Sequence, residues 1–179
     1  PSDEPATLKS CVLPETALTI LPVARTGVID LYGPSGNRVR QLRPFPTATG
    51  THSVALGDVD GDGHADLVAG SGSGARPRVR VFDEHGQRWA EFAPFHEGIR
   101  TGISVAVGDV DGDAQRDIVT VAGPDAVGRA RTFTYALGQG KFIRRASFTP
   151  VDRWRQGWHV LLDDLDGDAR ADLVLIPRG

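Results

Sequence analysis

Three segments of this chain are nearly the same: GDVDGDGHADLV (Gly57–Val68), GDVDGDAQRDIV (Gly108–Val119) and DDLDGDARADLV (Asp163–Val174). Their leading aspartates are 51 and 55 residues apart, and a proline lies 14, 15 and 14 residues before them, at Pro44, Pro94 and Pro150. Two landmarks in the same register identify an internal repeat of about 50 residues, and a fixed period is the main sign of a repeat fold.

Strand-like sequence surrounds each acidic segment. Ser53–Gly57 and Ser104–Gly108 lead into the first two, and Asp66–Gly70 leaves the first, each with apolar or β-branched residues. An alternating run such as Arg78–Phe82 follows, then a glycine-containing turn and a last strand before the next proline. Period-2 alternation bounded by Gly, Pro and Asp is typical of half-buried strands. Each repeat therefore predicts about four antiparallel strands.

A four-stranded unit of this length is the size of one β-propeller blade. We predict an all-β fold of roughly three and a half blades. Residues 1–24 would hold strands of an incomplete or closing blade, 25–74 repeat 1, 75–127 repeat 2, and 128–179 repeat 3, which ends after its first hairpin. Leu8–Leu13 and Ala17–Leu21 are the candidate N-terminal strands. The rest of a closed ring would come from a removed part of the chain or from another subunit.

The acidic segments have the residue pattern of metal-coordinating loops. Oxygen ligands recur at positions 1, 3, 5, 7 and 9, and position 7 would act through its main-chain carbonyl because its residue type varies. Large, hard Ca²⁺ prefers such an oxygen shell. The predicted ligands are Asp58, Asp60, Asp62, His64 and Asp66; Asp109, Asp111, Asp113, Gln115 and Asp117; and Asp164, Asp166, Asp168, Arg170 and Asp172.

Electrostatics favours occupied loops. Carboxylates about 5 Å apart repel by roughly 0.8 kcal/mol per pair even in water. Zinc is disfavoured because neither Cys nor His recurs at the ligand positions, and magnesium because it keeps its waters. An EF-hand would need a Glu at position 12 and helical flanks, but Ala69, Thr120 and Leu175 stand there between strands. If position 6 is left-handed, Ala114 and Ala169 are strained where the first loop has Gly63.

The repeats resemble FG-GAP/VCBS-type repeats, the calcium-binding blades of the integrin α-subunit propeller and of many bacterial secreted proteins. The resemblance runs from Arg25 onward and lies in the D-x-D-x-D-x-x-x-D core of each loop. It implies a β-propeller whose loop carboxylates bind calcium. Asp163 departs from the pattern, since the other repeats have Gly there.

Charge and composition limit the other functions. Twelve of the 23 acidic residues and two of the 20 basic residues, Arg116 and Arg170, lie in the three loops, which leaves 11 acidic against 18 basic residues elsewhere. No apolar run is long enough for a membrane span. The single cysteine, Cys11, has no intrachain partner; it is either a buried apolar residue or an intermolecular bridge.

Three further features have two interpretations each. Arg76, Arg78 and Arg80 share a strand face, echoed by Arg38, Arg40, Arg129 and Arg131; they are either a solvated face or a surface for an anionic polymer. Trp154 and Trp158 either pack in the core or stack on a sugar. Gly70–Gly74 is expected to be an interstrand turn, because no Lys and helix follow as in a phosphate loop.

The histidines form no nucleophile signature and no G-x-S-x-G occurs, so we predict no catalytic residues. The first hypothesis is a non-enzymatic, calcium-stabilised binding or assembly protein, secreted or on the cell surface, in adhesion or as a structural subunit. It would bind a protein partner or itself, or an anionic polysaccharide, without specific nucleic-acid recognition. The alternatives are a lectin-like propeller and an accessory domain of a larger secreted enzyme.

Overall fold

The computed structural model describes residues 19–23, 27–33, 35–46, 48, 52–123, 129–149 and 157–177. The predicted strand at Leu8–Leu13, Cys11 and Trp154 lie outside these residues. The described chain forms thirteen strands in four antiparallel sheets. Within each sheet the strands follow one another in chain order, so every sheet is a meander.

The first sheet contains β1 (Thr19–Val23), β2 (Val28–Tyr32) and β3 (Arg38–Leu42). The second contains β4 (Ser53–Gly57), β5 (Asp66–Gly70), β6 (Val79–Phe82) and β7 (Arg88–Phe92). The third contains β8 (Ile103–Gly108), β9 (Asp117–Ala122), β10 (Ala130–Ala136) and β11 (Lys141–Phe148), with a short 3₁₀ turn (Leu137–Gln139) between its last two strands. The fourth contains β12 (Trp158–Asp163) and β13 (Asp172–Pro177).

The predicted four-stranded unit is confirmed, but the sheets are offset from the sequence repeats. The segment 25–74 holds β2 and β3 of the first sheet together with β4 and β5 of the second. The segment 75–127 likewise divides between the second and third sheets. Each of these two repeats therefore contains the last two strands of one sheet and the first two strands of the next. The aspartate and proline landmarks lie in loops and turns, so they do not show where a sheet begins or ends.

The second, third and fourth sheets meet along their first strands. β4 lies beside β8, and β8 lies beside β12. A serine side chain repeats this link: the Val105 amide donates to Ser53 Oγ at 3.0 Å, and the Val160 amide donates to Ser104 Oγ at 3.1 Å. First strands that line a common axis are the arrangement of propeller blades.

The apolar core is divided among the spaces between sheets. Leu67 and Ala69 of β5 pack toward the first sheet, whereas Val68, between them in sequence, packs toward the third. A strand covered on both faces reads as a continuous apolar run, which explains the LVA sequence of β5 and the IVTVA sequence of β9. Stacking thus buries what one sheet cannot bury alone.

Trp158 belongs to the third of these cores. It is 6% exposed and packs with Val119, Val121 and Val160 between the third and fourth sheets. The packing interpretation of this residue is confirmed. Stacking of its ring on a sugar is wrong, because the ring is enclosed by neighbouring strands.

An arginine of the third strand joins each four-stranded sheet to the one before it. Arg80 donates through Nη1 to the carbonyl of Pro44, and its guanidinium lies 4.9 Å from the centre of the Phe45 ring. Arg131 makes the same pair of contacts with Pro94 and Phe95, the latter at 5.0 Å. We call this combination of a hydrogen bond to the proline carbonyl and a contact with the following phenylalanine ring an arginine clamp. For these two residues a solvated face is wrong, since both contact the preceding sheet.

The segment Gly70–Gly74 runs between β5 and β6, as an interstrand turn should. A Cβ on Gly70 would lie 2.7 Å from the carbonyl oxygen of Ile103, so the close approach of β8 excludes any larger residue there. Ser73 also forms an isolated bridge with Thr101. The turn is therefore tied to the third sheet.

Candidate metal centres in three acidic loops

Each acidic segment forms the loop between the first and second strands of its sheet. Loop one is 58–66, loop two 109–117 and loop three 164–172. Because the first strands lie side by side, their loops are neighbours. The amide of Ala171 donates to the carbonyl of Asp109 at 2.6 Å, which joins loops two and three directly.

Each loop turns through two left-handed residues. Position 4 is glycine in all three, with φ of +81° at Gly61, Gly112 and Gly167. Position 6 is Gly63 at +89° in loop one, but Ala114 and Ala169 at +68° in the others. Position 6 is therefore left-handed in all three loops, which is the condition under which the sequence implied strain at the two alanines. Alanine there is strained by about 1 kcal/mol, because its Cβ crowds the following carbonyl.

The aspartates at positions 1, 3 and 5 accept hydrogen bonds from backbone amides of their own loop. In loop one, Asp58 accepts the amides of Gly61 and Gly63, at 2.7 and 2.9 Å. Asp60 accepts the Asp62 amide at 3.2 Å, and Asp62 accepts the His64 amide at 2.8 Å. Loops two and three repeat these bonds at equivalent positions. Three loops of different sequence thus share one conformation.

Three carboxylates converge in every loop, with oxygens within 4.8 Å of one another. Calcium–oxygen distances are about 2.3–2.6 Å, so ligand atoms of one ion lie up to about 5 Å apart. Positions 1 and 3 converge in all three loops; the third member is position 5 in loop one and position 9 in loops two and three. The groups are Asp58, Asp60 and Asp62; Asp109, Asp111 and Asp117; and Asp164, Asp166 and Asp172.

The other predicted side-chain ligands stand next to these groups without joining them. Asp66 of loop one lies at the base of its loop, and Asp113 and Asp168 are turned toward the position-7 amides. A role for the carbonyls of His64, Gln115 and Arg170 stays a prediction. Two of these residues make side-chain contacts: Gln115 donates to the Tyr135 carbonyl at 2.8 Å, and Arg170 lies against Gly112 of loop two.

The position-9 aspartates connect the loops to the sheets. Asp66 is 4% exposed and accepts the Val59 amide at 3.0 Å and Trp89 Nε1 at 2.9 Å. Asp117 is 1% exposed and accepts the Val110 amide and the Thr134 hydroxyl. Trp89 and Thr134 are site residues that sequence reasoning missed. They lie 23 and 17 residues from their aspartates, and no local pattern marks them.

Burial shapes the ionisation of these carboxyls. It raises the pKa of Asp66 to about 6, against the opposing hydrogen bonds from Val59 and Trp89. Burial also raises the pKa of Asp117 and of Asp60. At Asp109 burial opposes ionisation, but hydrogen bonds from the Gly112 and Ala114 amides outweigh it and lower the pKa. A cation would favour the ionised form at every one of these positions.

One more acidic group lies in the turn between β6 and β7, formed by Asp83, Glu84 and His85. Asp83 accepts the Gln87 amide at 2.7 Å, and His85 lies 3.2 Å from Glu84. The group does not recur in the other sheets that the structure describes, so it has the features of an acidic turn.

The geometry agrees with comparisons to known proteins. Residues 58–120, from the start of loop one through most of β9, match the model of the FG-GAP-like repeat family. This part of the chain carries an FG-GAP-like repeat. The matched residues include loops one and two and all of the second sheet after β4, so the resemblance predicted from the aspartate pattern is confirmed for them. No curated protein sequence matches the chain.

Among solved structures, the chain is similar to the crystal structure of the exotype rhamnogalacturonan lyase YesX. The TM-score is 0.60 at 15% sequence identity, over 83% of this chain and 32% of the other. This likeness supports the propeller-type fold and does not extend to activity. The chain spans about a third of the length of that protein. No helix among the described residues is long and apolar enough to cross a membrane.

Proposed function

We propose that this FG-GAP repeat protein is a non-enzymatic, calcium-stabilised binding or assembly protein that acts outside the cell. The observation that carries the proposal is the convergence of three carboxylates in each of three loops of one conformation. Repetition distinguishes these loops from single acidic turns, because aspartates stand at positions 1, 3, 5 and 9 of all three loops and the carboxylates at positions 1 and 3 converge in each.

Calcium suits the ligands better than other common metals. The three loop groups contain only aspartate oxygens, which a hard cation prefers and which zinc, with its nitrogen and sulfur ligands, does not require. Main-chain carbonyls at position 7 and water would complete a shell of six to eight oxygens. In this role the ion is structural, since it joins the ends of two strands within each blade.

The same sites support the proposal of an extracellular location. Calcium-binding modules of extracellular proteins typically have dissociation constants of about 0.1–1 mM. Sites of that affinity are filled outside cells, where calcium is abundant. Secretion or cell-surface display is therefore part of the proposal. Adhesion and structural assembly are the roles we favour, through the loops or through sheet edges that accept a strand from a partner.

A second candidate is an accessory domain of a larger secreted enzyme. The similar solved structure is a lyase, and the aligned region is 32% of it. In that case the propeller-type blades would support or position a catalytic region elsewhere. The length of the native gene product separates this candidate from the first.

Calorimetric titration of metal-free protein with Ca²⁺ tests the proposal. We expect up to three sites, and at about 100 times the dissociation constant each stabilises the fold by roughly 2.7 kcal/mol. The double variant Asp58→Asn/Asp60→Asn should lose one site. Asp83→Asn, in the acidic turn outside the loops, should lose none. A melting temperature unaffected by EGTA would contradict a structural role for calcium.

Light scattering with and without calcium tests the assembly role. We expect the mass to increase when calcium is added, because ordered loops fix the edges through which copies would pair. A monomer under both conditions would restrict the protein to binding other partners.

A further inference from the structure

A basic cleft lies between the first and second sheets, at the end of β5 opposite loop one. Its volume is about 520 Å³, and its walls come from the turn after β3, the segment between β5 and β6, and strands β6 and β7. The lining residues that matter here are Phe45, Arg76, Arg78, Arg80, Glu91 and Arg100. A volume in this range is that of small-ligand sites.

Positive charge is in excess in this cleft. Four arginines line it against one carboxylate, that of Glu91. Glu97 adds a second carboxylate through ion pairs with Arg76 at 3.2 Å and with Arg78 at 2.7 Å. Each guanidinium carries one positive charge and five N–H donors in a fixed fork, so the charge of four arginines exceeds that of two carboxylates. The cleft therefore suits an anion.

Two of the arginines are held in place before any ligand binds. Arg80 donates to Glu91 at 2.6 Å and to the carbonyl of Pro44, and it lies over the buried Phe45 ring. Arg78 is bonded to Glu97 and lies 3.6 Å from Glu91. Side chains that are already ordered lose less entropy on binding.

The cleft walls are also connected through the backbone. The Gly74 amide donates to the Arg100 carbonyl at 2.8 Å, and the Ser73–Thr101 bridge lies beside it. Gly74 has φ of +86°, and nothing lies within 4 Å of a Cβ built there. This wall is thus fixed to the segment before β8 while leaving the entrance open.

We propose that this cleft binds the carboxylate groups of an acidic saccharide. Guanidinium forks match carboxylates in two-point contacts. Small apolar surface at Pro46 and Ala75 lies beside the arginines and suits the C–H face of a sugar ring. Single-stranded nucleic acid is disfavoured, because it needs exposed aromatic rings for its bases, and Phe45, the one aromatic residue that lines the cleft, is 6% exposed.

This inference rests on the proposed binding function but not on the metal loops, so the two can fail separately. The test is calorimetric titration of calcium-loaded protein with trigalacturonate, next to its neutral methyl ester. We expect binding of the acid and none of the ester. Arg76→Gln/Arg100→Gln should weaken binding by about tenfold or more, since two charge-assisted contacts are lost.

The matched control is Arg144→Gln/Arg145→Gln, which removes the same charge from exposed positions on β11. It should change the affinity by less than about twofold, because distant exposed charges are screened. Equal weakening by both variants, equal binding of the ester, or no binding at millimolar trigalacturonate would overturn the proposal. Equally tight binding of a triglutamate peptide would overturn the choice of a saccharide. Calcium titration of the same variants should be unchanged, which separates this site from the loops.

Discussion

Loops one and three have the same backbone turn but sit on different supports. Loop one joins strands of a four-stranded sheet, and its position-9 aspartate, Asp66, is buried and bonded to Trp89 of the fourth strand. Loop three joins β12 and β13, and in the described part of the chain no further strand pairs with that hairpin. Local sequence sets the turn, whereas the rest of the sheet sets the surroundings of the ligands.

The difference appears clearly at position 2. Val59 of loop one is fully buried, whereas Leu165 of loop three is 67% exposed. Asp172 accepts the Leu165 amide at 3.0 Å, the same bond that Asp66 makes with Val59, yet it is only partly buried. The hydrogen bond from the position-2 amide to the position-9 aspartate is therefore buried in loop one and close to solvent in loop three.

The largest expected contrast is in hydrogen exchange. Every second amide of β5 is covered by β6, whereas the matching amides of β13 face an edge with no described partner. We expect those β13 amides to exchange at least about a hundredfold faster than their β5 counterparts, since local opening there breaks fewer contacts. Mass spectrometry of peptides from the two strands measures this. Equal protection would show that β13 is paired in solution, for example with a second copy.

Removing the position-9 carboxylate should give the next largest difference. Asp66→Ala leaves the Val59 amide and the Trp89 indole without an acceptor, and buried unpaired donors cost about 1–3 kcal/mol each. Asp172→Ala leaves only the exposed Leu165 amide, so we expect less than about 1 kcal/mol. Urea unfolding of metal-free protein compares the two. Equal losses would mean that the fourth strand does not support loop one.

A pH titration sharpens the same comparison. The folded-state pKa of Asp66 is about 6, above the ordinary value of 3.8, so its contribution to stability is present below the ordinary value and lost as the pH rises through 6. Metal-free wild-type protein should therefore lose stability relative to Asp66→Asn between about pH 4 and about pH 7. Calcium should remove the effect. A constant difference between the two proteins would contradict a buried carboxyl.

The smallest effect is expected at position 6. Ala114→Gly and Ala169→Gly relieve left-handed strain, partly offset by the freedom that glycine adds to the unfolded chain. We expect each to stabilise the fold by about 0.5–1 kcal/mol, and Gly63→Ala to destabilise it by a similar amount. Thermal unfolding in EGTA measures these changes. A loss of stability in either alanine-to-glycine variant would mean that its loop is not left-handed there.

Much of the fold could be predicted because the information is local. Alternation of apolar residues, the Gly and Pro turns and the aspartate spacing lie within a dozen residues of one another, and they predict strands, loops and ligands in register. The glycine at position 6 of loop one suggested a left-handed residue there. Because the three loops share one pattern, the same conformation is expected at Ala114 and Ala169.

The remaining features depend on contacts between distant segments. The offset of the sheets from the repeats, the bonds of Trp89 and Thr134 to the position-9 aspartates, and the burial of Trp158 arise when blades stack. The spacing of the arginines on one strand face suggested a solvent-exposed surface. In the structure, Arg80 and Arg131 contact turns of the preceding sheet. Sequence periodicity shows which face a residue occupies but not what covers that face.

The arginine clamp has a consequence for how such chains change in evolution. Arg80 and Arg131 each recognise a backbone carbonyl and an aromatic ring at a Pro-Phe turn, and both turns offer the same partners. A clamp of this kind does not distinguish one neighbour from another. A duplicated blade inserted between two others would find a ready junction on each side, so gene duplication can lengthen the array without redesigning its joints.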